Sequence, residues 1–150
     1  MTLKSPSLLR LCSGQALPSP PCGEEIKKYE ERDKQGLNPM DCIFCKIAGK
    51  KIPAEFIHET ERFIAIKDLF PQSPTHLLII PKAHYSSLME CDDETLLRDM
   101  MLTAKDVAKK IGVGERGFRL VINTNKEGGQ TVFHLHMHLM AGRTLSGDMG

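Results

Sequence analysis

Net charge is almost absent: 20 lysines and arginines stand against 19 acids, a formal +1 over 150 residues. No bulk field therefore draws the chain toward nucleic acid or a membrane surface, and an anionic ligand has to be caught by a local site. Long apolar runs are missing as well. None approaches the roughly 20 residues that a bilayer-spanning helix needs. The five cysteines, Cys12, Cys22, Cys42, Cys45 and Cys91, are odd in number and follow no convincing signal peptide. That argues against a disulfide framework and for a reducing, cytoplasmic setting. No internal repeat is evident.

What is present is ordinary for a globular protein: 41% hydrophobic and 26% charged residues, enough for one domain with a modest core. Residues 1–39 read differently. "MTLKSPSLLRLCSGQALPSPPC" is rich in Ser, Pro and Gly and has no acid, and "EEIKKYEERDKQG" is a solvated, charged stretch suited to a helix. The plain reading is a disordered or partly helical extension. A transit peptide, or sequence upstream of a true start at Met40, are the other two.

From residue 40 to 150 the pattern is that of a domain. "CIFCKIAG" suits a short helix ending near Gly49. "EFIHET" and "RFIAIKD" suit two strands around a turn at Thr60–Glu61, and "THLLIIP" a buried strand closed by Pro81. Between Asp92 and Ile111, Leu96, Leu97, Met100, Met101, Ala104, Val107 and Ala108 recur at helical spacing. Asp92 or Asp93 caps that helix and Gly112 ends it. "GFRLVINT" reads as a strand, "KEGGQ" as a loop, and "GGQTVFHLHMHLMAG" as the last strand. The expectation is an α+β fold, an antiparallel meander carrying one main helix and a short N-terminal one.

The last segment is the informative one. His134, His136 and His138 alternate with Leu135, Met137 and Leu139, so a strand turns three imidazoles to one face and three apolar side chains to the other. A wet polar face, a metal site and a nucleophile all remain open. Three collinear histidines spread their Cβ atoms over roughly 13 Å, which suits one tetrahedral ion poorly. Gly128 and Gly129 let backbone approach a ligand closely, and Gln130 and Thr131 add an amide and a hydroxyl. Imidazoles, loop amides and a hydroxyl together suit a phosphate, with a neutral histidine as in-line nucleophile.

"GGQTVFHLHMHLMAGR", "DLFPQSPTHLLIIPKAH" and "DCIFCKI" resemble the histidine-triad (HIT) superfamily across about residues 40–145. "VINTNKEGGQT" and the "GR" after the triad favour its Hint branch over the fragile-histidine branch, which hydrolyses dinucleoside polyphosphates. The resemblance implies a purine nucleoside phosphoramidase working through a nucleotidyl-histidine, and a homodimer in which two sheets join. It makes His136 the nucleophile, His138 a phosphate or leaving-group contact, and His76 part of the polar cluster. It makes Asp68 the ribose-binding acid, puts Gln130, Thr131 and Asn123 on the phosphate and ribose, and puts Leu69, with Phe44, Ile43 and Ile64, on the base.

Cys42 and Cys45 form a C-x-x-C, by itself shared between redox motifs and half zinc sites. The resemblance implies that His84 and His134 complete a Cys2His2 set holding one structural zinc, with no cofactor needed for catalysis. Two other functions stay in view: a purine-nucleotide-binding module with incidental turnover, and a zinc hydrolase using all three histidines.

Overall fold

The computed structural model describes residues 41–147. The expectations for residues 1–39 and for a start at Met40 lie outside the described residues.

"IFCKIA" forms helix α1 (Ile43–Ala48), ended at Gly49 as its spacing predicts. Three strands follow, β1 (Phe56–Glu59), β2 (Phe63–Lys67) and β3 (Thr75–Pro81). A 3-10 turn (Leu88–Glu90) leads into helix α2 (Glu94–Lys110). Two strands close the fold, β4 (Arg119–Val121) and β5 (Met137–Ala141). The five strands make one antiparallel sheet in the order β1-β2-β3-β5-β4. The α+β class, the main helix and the short one are as expected. The simple up-and-down path holds only for β1 to β3. Helix α2 then carries the chain to the far edge, and β5 returns between β3 and β4.

β2 and β3 read as unbroken apolar runs because both faces of each are covered. Phe63, Ala65, Leu77 and Ile79 pack with Leu96, Met100, Ala104 and Val107 of α2. Ile64, Ile66, Leu78 and Ile80 pack with Ile43, Phe44 and Ile47 of α1. The main helix starts on a built cap. Asp93 accepts from the Leu96 N–H at 2.9 Å, and Arg62, in the turn between β1 and β2, reaches Asp93 at 2.7 Å and Asp99 at 2.9 Å.

The last strand is shorter than its alternation predicts. It begins at Met137, so only His138 of the three histidines lies in the ladder. Residues 131–136 run irregularly toward it, with the His134 N–H bonded to the Val132 carbonyl and the Leu135 N–H to the Tyr85 carbonyl. The alternation of faces survives nevertheless. Leu135, Met137 and Leu139 enter the α2 side of the core, while Phe44 of α1 meets the rings of both His134 and His136. β4 is also shorter than "GFRLVINT", for it is an edge strand paired only with β5. No helix among the described residues is long and apolar enough to cross a membrane.

Candidate active site

Sheet register gathers the polar groups on the α1 side. His138 stands opposite Leu78 and His76 opposite Met140 on the paired strands β5 and β3, so the two histidines are diagonal neighbours on one face. Asp68 follows β2 directly, its N–H bonded to the His76 carbonyl at 3.0 Å. A cleft of about 380 Å³ opens over these groups, within the range of small-ligand sites. One wall is apolar: Ile43, Phe44 and Ile47 of α1, with Ile66, Leu78 and Val132. The other is polar: Asp68, Gln72, His76, Asn123, Thr131, His136 and His138.

The hydrogen bonds fix where each imidazole proton sits. The Gln72 N–H donates to His76 Nδ1 at 3.0 Å, so neutral His76 carries its proton on Nε2. That nitrogen lies 2.9 Å from His138 Nδ1 and 3.5 Å from an Asp68 carboxylate oxygen. His138 Nδ1 accepts, which puts the His138 proton on Nε2. His138 Nε2 is the one buried side-chain polar atom with no partner among the described residues. It is an N–H donor held in the cleft wall. Burial first, and the neighbouring His76 second, lower the His138 pKa, with Asp68 opposing.

His136 has the complementary arrangement. Its Nδ1–H donates to the His134 carbonyl at 2.7 Å, which leaves the lone pair on Nε2. The ring is only 4% exposed, and burial drives its pKa down to about 4. It is neutral at physiological pH. A lone pair on one ring and an N–H on the next, with ring centroids 5.0 Å apart, can present a nucleophile and a donor to one phosphoryl group.

Behind this wall Cys42, Cys45, His84 and His134 bring four donor atoms within 4.8 Å of one another. His134 Nδ1 lies 3.3 Å from Cys42 Sγ, 3.5 Å from Cys45 Sγ and 3.1 Å from His84 Nδ1. His84 Nδ1 lies 3.3 Å from Cys45 Sγ. A tetrahedral zinc with bonds of about 2.3 Å to sulfur and about 2.0 Å to nitrogen sets neighbouring donors about 3.3–3.8 Å apart, so the set fits a four-coordinate ion with small adjustments. His134 Nε2–H donates to the Pro81 carbonyl at 2.8 Å, the outer hydrogen bond that fixes a ligating histidine. The hydrogen bond with Cys45, then burial, push the Cys42 thiol up. A divalent cation supplies the charge that favours the thiolate.

Two sequence expectations are corrected. Gln130 does not face the cleft. It is buried, its carbonyl accepts from the Asn125 N–H at 2.8 Å, and its amide donates to the Ser86 and Val132 carbonyls at 2.7 and 3.0 Å. It braces the loop that delivers Gly129 and Thr131. Ile64 is wholly buried in the core below α1 and is not part of the cleft lining. Sequence reasoning missed Ile47, Ile66, Leu78 and Val132 of the apolar wall. It also missed Phe70, which is 56% exposed, and Gln72 at the cleft mouth. Strand parity points to Ile66 and Leu78, which share a face with Asp68 and His76. The Gln72 contact works through backbone and leaves no side-chain signal. Of the chain's six histidines, five lie in these two adjoining sites, and His58 on β1 stands apart from both.

The HIT domain family matches residues 49–145. The purine nucleoside phosphoramidase of Escherichia coli K12 is 39% identical over 107 residues, covering 70% of this chain and 90% of that protein. A HIT family hydrolase from Legionella pneumophila has a solved structure with 44% identity and a TM-score of 0.71, covering 73% of this chain and 99% of its own. A Zn-bound histidine triad family protein from Mycobacterium smegmatis has 34% identity and a TM-score of 0.64, covering 75% of this chain and 81% of its own. With its three alternating histidines divided between a cleft and a metal-competent cluster, and with that family matched over most of the described residues, the chain belongs to the HIT family.

Proposed function

We propose that the chain hydrolyses purine nucleoside phosphoramidates, of the type of adenosine 5′-monophosphoramidate, through a nucleotidyl intermediate on His136. One observation carries this reading. The His136 proton is committed to the His134 carbonyl, which leaves Nε2 as a neutral nucleophile beside the unpartnered Nε2–H of His138. The phosphoramidase named among its relatives supports the substrate class.

In this reading His136 Nε2 attacks the α-phosphorus, an N–P bond to the ring forms, and the P–N bond to the amine breaks. The departing nitrogen takes a proton from His138 Nε2, without which an amine is a poor leaving group. Water then attacks the nucleotidyl-histidine: its oxygen bonds to phosphorus, its proton returns to His138 Nε2, and the bond from His136 to phosphorus breaks, which releases the monophosphate and frees the ring. Asp68 accepts the ribose hydroxyls. Its Oδ1 already accepts from the Phe70 N–H at 2.7 Å, and a carboxylate has capacity for more. The base lies against Ile43, Phe44, Ile47 and Leu69, and Asn123 and Thr131 hold the phosphate side. Cys42, Cys45, His84 and His134 hold a structural zinc, and the named Zn-bound relative supports that assignment. A homodimer joined at a sheet edge belongs to the same reading, with β1 and β4 as the two edges available.

A panel of adenosine and guanosine phosphoramidates and dinucleoside polyphosphates tests the substrate class. Fastest turnover on a phosphoramidate, with mass spectrometry of a quenched reaction showing a nucleotidyl adduct on His136, is the expected result. Preference for a dinucleoside polyphosphate would move the chain to the other branch's activity.

The loop carrying Thr131 supplies a second expectation. A Cβ on Gly128 would collide with the Thr124 carbonyl oxygen and lie 2.8 Å from the Thr124 nitrogen. Both are backbone atoms, so the loop itself has to move. Gly128→Ala should lower kcat/KM by about 10- to 100-fold, the cost of misplacing a substrate-positioning group. Steady-state kinetics check this. Wild-type values would show that the loop does not position substrate.

A further inference from the structure

Three links tie the metal-competent cluster to the cleft: the residue His134, helix α1 and the ring of Phe44. His134 offers its ring to the cluster, held at its far side by the Pro81 carbonyl, while its own carbonyl accepts the His136 Nδ1–H at 2.7 Å. Helix α1 is a single short segment of six residues, too short to be stable by itself. Cys42 immediately precedes it and Cys45 lies in its first turn, while Ile43, Phe44 and Ile47 of the same helix line the cleft. Cys42, at the cap position, makes no side-chain capping bond to the helix; its thiol points instead to His134. Phe44 sets its ring edgewise against both His134 and His136, at 5.8 and 5.2 Å between centroids.

An ion bonded to all four donors therefore fastens α1, the loop after β3 at His84 and the irregular run 131–136 to one point. Without it those segments are joined by packing and by single hydrogen bonds. The apolar wall of the cleft and the carbonyl that orients His136 both lie on the segments so released. A ligand that stabilises one arrangement of these segments must stabilise the other ligand's site by the same factor.

We infer that metal occupancy of Cys42, Cys45, His84 and His134 sets the nucleotide affinity of the cleft and the ring orientation of His136, so that the cluster is a control point for the site as well as a structural tie. His134 is then a positioning residue for His136. The inference rests on the nucleotide reading of the cleft given above.

The test uses the full chain, zinc and adenosine 5′-monophosphate (AMP). Calorimetric titration of AMP into zinc-loaded and chelator-stripped protein, both checked for fold by circular dichroism, should show affinity about tenfold weaker without zinc. Restoring zinc should reverse it. In 15N-histidine spectra the His136 Nδ1–H resonance should broaden or exchange faster in the stripped protein, which a purely structural tie would not cause in a chain that stays folded. Where stripping unfolds the chain, the reciprocal measurement decides. Saturating AMP should slow zinc loss to a chromogenic chelator by about the same tenfold factor, at a chelator concentration and temperature where backbone hydrogen exchange shows that global unfolding is slower than zinc loss. Equal AMP affinity in folded stripped and loaded protein, or zinc loss indifferent to AMP, overturns the inference. Failure of zinc-loaded protein to bind AMP at all refutes the nucleotide reading instead, and the inference with it.

Discussion

His136→Ala should lower kcat by about 10^4-fold or more, the scale seen when a catalytic nucleophile is removed. The substitution takes away the attacking atom and leaves the rest of the cleft in place. Asp68, the α1 wall and the His138 donor all stand on other elements, so AMP binding should persist within a few-fold. No nucleotidyl adduct should form. His136 is nearly wholly buried, and the alanine leaves a cavity, so a lower melting temperature is expected and the assays belong well below it. His136→Gly offers a sharper form of the test. Added imidazole can occupy the space and attack in place of the missing ring, and partial recovery of turnover is the expected result. A His136→Ala protein with full turnover would exclude the covalent route. His138→Ala should fall less, by about 10^2- to 10^4-fold in kcat, because it loses a proton donor and not the nucleophile. It should still form adduct, slowly. Comparing the two variants separates the roles that one row of alternating histidines conceals.

How far that row could be read depended on which interaction decides each residue. The parity of "HLHMHLM" survives in the fold: Leu135, Met137 and Leu139 lie on the α2 side, and the imidazoles lie opposite. Its extent did not, because Leu135 bonds to the Tyr85 carbonyl and not to a neighbouring strand. Periodicity records which face is apolar, and not where a ladder begins. "THLLIIP" and the α2 pattern gave their elements almost to the residue, since burial on both faces and helical spacing are local signals. Gln130 shows the limit. An amide beside two glycines suits a phosphate, yet its three hydrogen bonds go to backbone at Asn125, Ser86 and Val132. Ser86 is far away in sequence, and no local pattern announces that contact. The same holds for the His76 tautomer, which a backbone N–H sets, and for the strand order, which the long passage through α2 sets.

Replacing Cys42 by serine should abolish stoichiometric zinc and lower the melting temperature by about 10 °C or more, since several kcal/mol is a large part of a domain's stability. Cys42 is wholly buried and stands 3.3 Å from His134 Nδ1. A serine hydroxyl there is a poor zinc ligand beneath an apolar helix. The loss should exceed that of an ordinary buried Cys→Ser change, because three donors are left without their ion and α1 loses its tie to His134. Chelation and mutation should not add. Stripping zinc from the wild type should bring its melting temperature close to that of Cys42→Ser, and the chelator should leave the variant unmoved, because both remove the same interaction. Metal analysis with calorimetry or circular dichroism melts checks each arm. Wild-type zinc content in Cys42→Ser would remove Cys42 from the ligand set. A further drop on chelating that variant would mean that another ion-binding group carries the stability. Cys91 is the internal control. It is buried in the α2 side of the core, outside the metal-competent cluster, so Cys91→Ser should cost packing free energy alone and leave both zinc content and chelator sensitivity unchanged.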